Sequence, residues 1–119
     1  MKALIDTNIL IDYLQSSQDA SSELNRYDEL FISRITWIEF LVGAKTPEDA
    51  SLRNSLLRLF SMLELDQSIA EHSITIRQHS RMELPDAIIL ATARAHGLLL
   101  VTRNHRDFPR REPDVRIPY

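Results

Sequence analysis

Short apolar segments alternate with helix-forming segments along the chain, and this alternation constrains the fold more than any other feature. The candidate strands are residues 2–5, 30–33, 63–65 and 98–102, and residues 115–117 form a candidate edge strand. Alternation of this kind predicts an α/β domain with a mostly parallel sheet that is buried on both faces. At 119 residues the chain has the length of one domain, so we assign residues 1–119 to it.

Helices are predicted between these strands, where apolar residues recur at helical spacing. Thr46, Pro47, Glu48 and Asp49 form a strong helix start, with a threonine cap, an early proline and acids facing the helix dipole. Gly97 closes the last helix. Residues 16–22 are a turn and helix-start cluster. The predicted helices cover roughly residues 8–14, 36–44, 47–62, 66–82 and 85–96.

The composition excludes several classes of site. The chain has no cysteine, and its four histidines form no zinc-binding pattern. With only Gly43 and Gly97, it has neither a P-loop nor a dinucleotide-binding loop. Asp6 interrupts the N-terminus before a signal peptide could form, and no apolar stretch is long enough to cross a bilayer. We therefore expect a cytoplasmic protein.

The net charge of −3 argues against a protein that coats nucleic acid nonspecifically. Positive charge is nevertheless concentrated near the end of the chain, and a local basic rim beside an acidic centre can hold a phosphate backbone. A solvated basic tail is the alternative interpretation. The arginines concerned are Arg103, Arg106, Arg110, Arg111 and Arg116.

Asp6 occupies an unexpected position for a carboxylate, directly after the apolar residues of the first strand. A lone buried carboxylate costs several kcal/mol unless it is paired, hydrogen-bonded or bound to a metal. In parallel sheets ligands bind beyond the carboxyl ends of the strands, so we expect Asp6 to face a crevice there. Asp12 lies on a helix that can turn it outward, and we interpret it as a surface acid.

Three further acids occur in apolar or strand-end settings. Asp86 begins an apolar helix, Glu39 shares a helix face with Thr36, and Asp107 follows the last strong strand. Each has an ordinary alternative: a first-turn acid, a solvent-facing acid and a loop residue, respectively. Considered together with Asp6, they form an oxygen-rich set that suits Mg²⁺ or Mn²⁺, whose charge would explain why the acids are tolerated. A bound cation would also activate water and stabilise phosphoryl oxygens.

Four segments, in this order, resemble the PIN-domain family, and more closely the VapC-type toxins of bacterial toxin–antitoxin modules. They are LIDTNIL at residues 4–10, TWIE at 36–39, LPDAIILATA at 84–93 and VTRNHRDF at 101–108. The resemblance implies a single three-layer α/β/α domain with Mg²⁺- or Mn²⁺-dependent endoribonuclease activity.

The resemblance also implies roles for particular residues. The family's acidic site corresponds to Asp6, Glu39, Asp86 and Asp107, with Asp6 and Asp86 as the first choices for metal ligands. Asn8, Thr102 and Asn104 correspond to supporting polar positions. Some relatives carry an acid at the position of Asn104, which leaves open whether Asn104 or Asp107 contacts metal. Arg103, Arg106, Arg110 and Arg111 would hold the RNA backbone.

Toxins of this kind are typically homodimers that a cognate antitoxin silences, so the resemblance implies those partners. The exposed parts of Trp37, Phe40 and Leu41 are a candidate antitoxin surface, although apolar helix positions are usually core. A phospho-acceptor receiver domain is a weak alternative, because the only lysines are Lys2 and Lys45. A PIN-like scaffold that binds RNA or protein without cleaving remains open.

Overall fold

A five-stranded sheet forms the centre of the molecule, in a computed structural model that describes residues 1–108 and 114–119. The strands are β1 (Lys2–Ile5), β2 (Glu29–Ser33), β3 (Ser61–Leu63), β4 (Leu99–Val101) and β5 (Val115–Arg116). The helices are α1 (Thr7–Leu14), α2 (Gln18–Leu24), α3 (Arg34–Val42), α4 (Pro47–Leu57), α5 (Gln67–His79) and α6 (Leu84–Ala95).

All strand pairs are parallel, in the order β3-β2-β1-β4-β5. The chain therefore adds β2 and β3 on one side of β1, and then β4 and β5 on the other side. Ile5 pairs with Val101 at the carboxyl ends of β1 and β4, where the strand order reverses. A reversal of this kind leaves a crevice above the strand ends, where ligands bind in parallel sheets.

Helices cover both faces of the sheet, which confirms the predicted three-layer α/β/α class. Neighbouring residues of β1 point to opposite faces, as the two-residue period of a strand requires. Ala3 and Ile5 pack in one cluster with residues of α1 to α4, whereas Leu4 packs in the other with residues of α6. The residues of β1 after Lys2 are fully buried, so Asp6 follows a strand that passes through the core.

Several predicted element boundaries were wrong. The helix predicted to reach residue 62 ends at Leu57, and residues 61–63 instead form β3 beside β2. The following helix ends at His79 and not near Met82. Residues 16–22 extend into a full helix, α2, because the Ser17 side chain caps it by accepting from the backbone N–H of Ala20 at 3.2 Å. Apolar spacing does not locate these ends, since they depend on strand pairing and caps.

Candidate active site

The Asp6 carboxylate lies at the junction of β1 and α1 and is 4% exposed. It caps α1 by accepting from the backbone N–H of Thr7 at 2.7 Å. Its other oxygen accepts from the Thr102 hydroxyl at 2.7 Å and from the Asn8 side-chain amide at 3.3 Å. Burial raises the pKa of Asp6 above its ordinary value of 3.8, although these hydrogen bonds favour the ionised form. Asp6 is thus rigidly positioned, and no basic side chain in the described part of the chain forms an ion pair with it.

Thr102 and Asn8 connect the ends of the two central strands. The Thr102 side chain is fully buried, and its hydroxyl oxygen lies 3.3 Å from the Asn8 amide nitrogen that donates to it. The backbone N–H of Asp6 donates to the Val101 carbonyl at 2.9 Å, which extends the β1–β4 pairing up to the carboxylate. Of the three predicted supporting residues, Asn8 and Thr102 therefore contact Asp6 directly.

Glu39 reaches the same crevice from α3. The Thr7 hydroxyl donates to its carboxylate at 2.8 Å, and its negative charge contributes to the raised pKa of Asp6. Its side chain is exposed, whereas Thr36, one turn earlier, is fully buried. The face of α3 that carries Glu39 therefore lines the open side of the crevice.

Asp86 approaches from the first turn of α6, directly after Pro85. The N-cap residue of that helix, Glu83, makes no side-chain capping bond. Burial, and then the negative charges of Asp6 and Asp107, raise the pKa of Asp86 from 3.8 to about 7. A hydrogen bond with Asp107 and the charge of Glu39 act in the same direction. Near neutral pH the Asp86 carboxyl is therefore only partly ionised.

Asp107 lies in the loop after β4, and Asn104 holds it in place. The Asn104 side-chain amide donates to the Asp107 carboxylate at 2.8 Å, and the Asn104 backbone N–H donates to the Thr102 hydroxyl at 3.0 Å. Phe108 is fully buried and anchors the end of this loop in the core. Asn104 thus supports Asp107 through its amide, while Asp107 is the member that interacts with Asp86.

The four carboxylates carry negative charge that nearby side chains do not neutralise. Over residues 1–108 and 114–119, no lysine, arginine or histidine forms an ion pair with Asp6, Glu39, Asp86 or Asp107. Within those same ranges, no three acidic or histidine side chains are arranged to hold one metal ion. The site is therefore open and not a closed ligand cage. Such a site suits Mg²⁺, which usually keeps several waters and uses one or two protein carboxylates.

The predicted RNA-binding arginines have different surroundings. Arg103 is paired with Asp12, and its Nε lies 2.8 Å from an Asp12 oxygen. Arg106 is exposed and, with Arg103 and His105, lines a cavity of about 270 Å³ that also borders Asn8 and Asn104. Arg110 and Arg111 lie outside the described residues.

The sequence-based interpretation of Asp12 was wrong. Asp12 is not a surface acid: its side chain is 16% exposed and accepts hydrogen bonds from Arg103 and Tyr119. Phe40, which the sequence offered as either core or part of an antitoxin surface, is fully buried, so the core interpretation is confirmed. The sequence contained one indication that Asp12 faces the same way as Asn8. Asp12 lies four residues after Asn8 and so shares its face of α1.

Comparison with known proteins identifies the family. The profile of the PIN domain matches residues 3–112. The chain belongs to the PIN-domain family. This PIN domain is 30% identical to the "tRNA(fMet)-specific endonuclease VapC" of Shigella flexneri, over 92% of each chain. It is 28% identical to "Ribonuclease VapC1" of Rickettsia felis, over 92% of this chain and 90% of that protein.

A solved structure agrees with this assignment. A chain of a "Toxin-antitoxin complex from Klebsiella pneumoniae" is 44% identical to this PIN domain, covers 98% of both chains and superposes with a TM-score of 0.91. These matches cover 92%, 90% and 98% of the three relatives, respectively. None of the helices that the structure describes is long and apolar enough to cross a membrane.

Proposed function

We propose that this PIN domain is a Mg²⁺- or Mn²⁺-dependent endoribonuclease and the toxin of a toxin–antitoxin module. Family membership supports the nuclease assignment, and two of its relatives are named as VapC ribonucleases. The similarity to a chain of a toxin–antitoxin complex supports the biological role.

The observation that carries the proposal is the group of unneutralised carboxylates above the ends of β1 and β4. Asp6 is buried with three hydrogen-bond donors but forms no ion pair with a basic side chain of residues 1–108 or 114–119, and the pKa of Asp86 is raised to about 7. An arrangement that only stabilised the fold would be expected to pair these charges. Perturbed carboxylates in a crevice are a recognised mark of a functional site.

In this proposal Asp6 and Asp86 would hold the divalent cation, with Asp107 completing the site. When bound, that cation would make a water molecule more acidic and neutralise charge on the phosphoryl oxygens. Thr102, Asn8 and the Thr7 backbone fix the Asp6 carboxylate, so its position does not depend on the cation.

Asp86 and Glu39 would have further roles. Asp86 would release its proton on binding the cation, since ligands must be deprotonated. Glu39, on the exposed side of the crevice, would orient the attacking water or join a second metal. Attack of that water on phosphorus would break the P–O3′ bond and leave a 5′-phosphate and a 3′-hydroxyl.

The proposed substrate is RNA, held by arginines beside the acidic crevice. Arg106 is exposed at the cavity next to Asn8 and Asn104, where a substrate phosphate would pass close to the carboxylates. Arg103 borders the same cavity, and Arg110 and Arg111 remain proposed contacts. Because the Shigella relative is named as specific for tRNA(fMet), initiator tRNA is the first substrate to test.

The proposed partners are a cognate antitoxin and a second copy of the chain, in the cytoplasm. A toxin–antitoxin complex among the similar structures supports the antitoxin. Co-expression with the product of a short reading frame found immediately upstream, followed by size-exclusion chromatography with light scattering, would measure both associations.

Cleavage of initiator tRNA and total RNA by the purified protein, with Mg²⁺, Mn²⁺ or EDTA, tests the proposal. Asp6→Asn and Asp86→Asn should each reduce metal-dependent cleavage by about 100-fold or more, because each removes a proposed ligand. Glu48→Gln is the matched control, since Glu48 is an exposed acid that also follows a proline in a first helical turn. Equal cleavage by the wild type and both aspartate variants would refute the assignment.

A non-cleaving scaffold gives a different result. Such a scaffold would bind RNA in a filter-binding assay. It would cleave none of the RNA substrates, with either Mg²⁺ or Mn²⁺. That outcome would replace the nuclease with the binding function that the sequence left open.

A further inference from the structure

Asp12 is an acid outside the four proposed site carboxylates that accepts three side-chain hydrogen bonds. Both of its oxygens accept from the Arg103 guanidinium, at 2.8 Å from Nε and 3.2 Å from a terminal nitrogen. The Tyr119 hydroxyl donates to the same carboxylate at 2.8 Å. Paired, two-point bonds of this kind between arginine and a carboxylate are stronger and more directional than single bonds. Asp12 therefore holds Arg103 in one orientation.

Arg103 also contacts Asn8, through its backbone. The Arg103 N–H donates to the Asn8 side-chain carbonyl at 3.1 Å. Asn8 and Asp12 are four residues apart on α1 and so lie on the same face of the helix. One residue of the loop after β4 is thus attached to α1 at two points, by its backbone to Asn8 and by its guanidinium to Asp12.

The contact with Arg103 sets the orientation of the Asn8 amide. With its carbonyl accepting from Arg103, its NH₂ group faces Asp6 at 3.3 Å and the Thr102 hydroxyl at 3.3 Å. If the Asn8 amide were flipped, its NH₂ group would face the Arg103 N–H, which is also a donor. Asp6 would then lose the hydrogen bond from Asn8. The Asn8 orientation therefore depends on where Arg103 lies in the loop after β4, and Asp12 holds the Arg103 side chain there.

We propose that Asp12 is a positioning residue for the active site, acting through Arg103 and Asn8 on the Asp6 carboxylate. Its effect reaches Asp6 without any contact between Asp12 and substrate or metal. In metal sites, mutating a residue that orients a ligand typically lowers metal affinity or activity by about 10-fold to 100-fold. The catalytic part of this proposal rests on the proposed function, whereas the effect on Asn8 does not.

The test follows the Asn8 side-chain amide by ¹⁵N-edited NMR of the metal-free protein, with cleavage kinetics alongside. In Asp12→Asn the Asn8 NH₂ signals should move toward those of a solvent-exposed asparagine and exchange faster with water. The kcat for RNA should fall about 10-fold or more, as for other residues that orient ligands, while KM changes little. Arg103→Lys, which keeps the charge and the backbone donor, should shift the same signals and serves if Asp12→Asn does not fold.

A double-mutant cycle separates this route from a direct one. If Asp12 acts through Asn8, combining Asp12→Asn with Asn8→Ala should reduce kcat no further than Asn8→Ala alone. Asp12→Glu retains the charge and should restore part of kcat, and Glu48→Gln should leave Asn8 and the kinetics unchanged.

Two results would overturn the inference. Wild-type Asn8 signals in Asp12→Asn would show that Asp12 does not position the amide. A raised KM with unchanged kcat would show that Asp12 acts only by presenting Arg103 to RNA. Should even the wild-type protein cleave no RNA, the proposed function fails while the NMR result still decides whether Asp12 orients Asn8.

Discussion

Replacing Asp86 with asparagine should stabilise the metal-free protein at neutral and alkaline pH while abolishing cleavage. Burial and the charges of Asp6 and Asp107 raise the pKa of Asp86 from 3.8 to about 7. Between these two pH values the folded protein holds a proton on Asp86 that the unfolded chain has lost. The free energy of unfolding therefore decreases as the pH rises from about 4 to about 7, and the full penalty remains at higher pH.

The size of this penalty follows from the pKa difference. About 3 pKa units at 1.36 kcal/mol each give about 4 kcal/mol as an upper bound. Because Asp86 is only partly buried, solvent screening reduces this to about 1–2 kcal/mol. For a domain of 119 residues, such a gain in Asp86→Asn corresponds to a Tm increase of about 3–8 °C.

Thermal and urea unfolding in EDTA, at pH 4 and pH 8, measure this effect. We expect Asp86→Asn to be more stable than the wild type at pH 8 and nearly equal at pH 4. Glu48→Gln controls for loss of a first-turn acid and should change stability by less than about 0.5 kcal/mol, which is usual for a surface substitution. Adding Mg²⁺ at pH 8 should stabilise the wild type and not the variant.

One result would refute the reasoning. If Asp86→Asn is no more stable than the wild type at pH 8 in EDTA, neither burial nor the neighbouring acids penalise the ionised Asp86 carboxylate in the folded protein. A compensating cation would then not be required at this site, whatever the effect on cleavage.

Phe108→Ala should lower the free energy of unfolding by about 3–5 kcal/mol in urea, because it empties a fully buried site beneath the Asp107 loop. Arg116→Ala should cost about 3 kcal/mol at pH 7, since it leaves the carboxylate of Glu23 buried at 4% exposure without its main partner. Arg116 lowers the pKa of Glu23, so this cost should shrink as the pH falls below about 4.5 in acid titrations of stability. Thr102→Val removes a donor to Asp6 and should weaken Mn²⁺ binding by about 10-fold in isothermal titration calorimetry, with no comparable loss in a Thr75→Val control.

The sequence was sufficient for the fold class. The alternation of apolar strands with helices requires a parallel sheet covered on both faces, and residues 2–5 and 98–102 were located close to β1 and β4. The ends of helices and strands were harder to predict from the sequence. For example, β3 lies at residues 61–63 because it pairs with β2, and local apolar spacing contains no information about that pairing. The Ser17 cap that begins α2 is likewise a hydrogen bond between residues whose types suit several conformations.

By itself, the sequence determined that Asp6 lies at a strand end, where its backbone position prevents it from turning away from the crevice. It also pointed to Glu39, Asp86 and Asp107 as candidate partners, because acids in apolar settings require a compensating group. Only the tertiary structure decided how these groups interact. Asp86 owes its raised pKa first to burial and then to carboxylates from other elements of the fold, and Asp12 became a partly buried anchor because the loop after β4 brings Arg103 to it. Both effects arise from contacts between residues far apart in the chain, so they depend on the packing of β1 beside β4 and are invisible in local sequence.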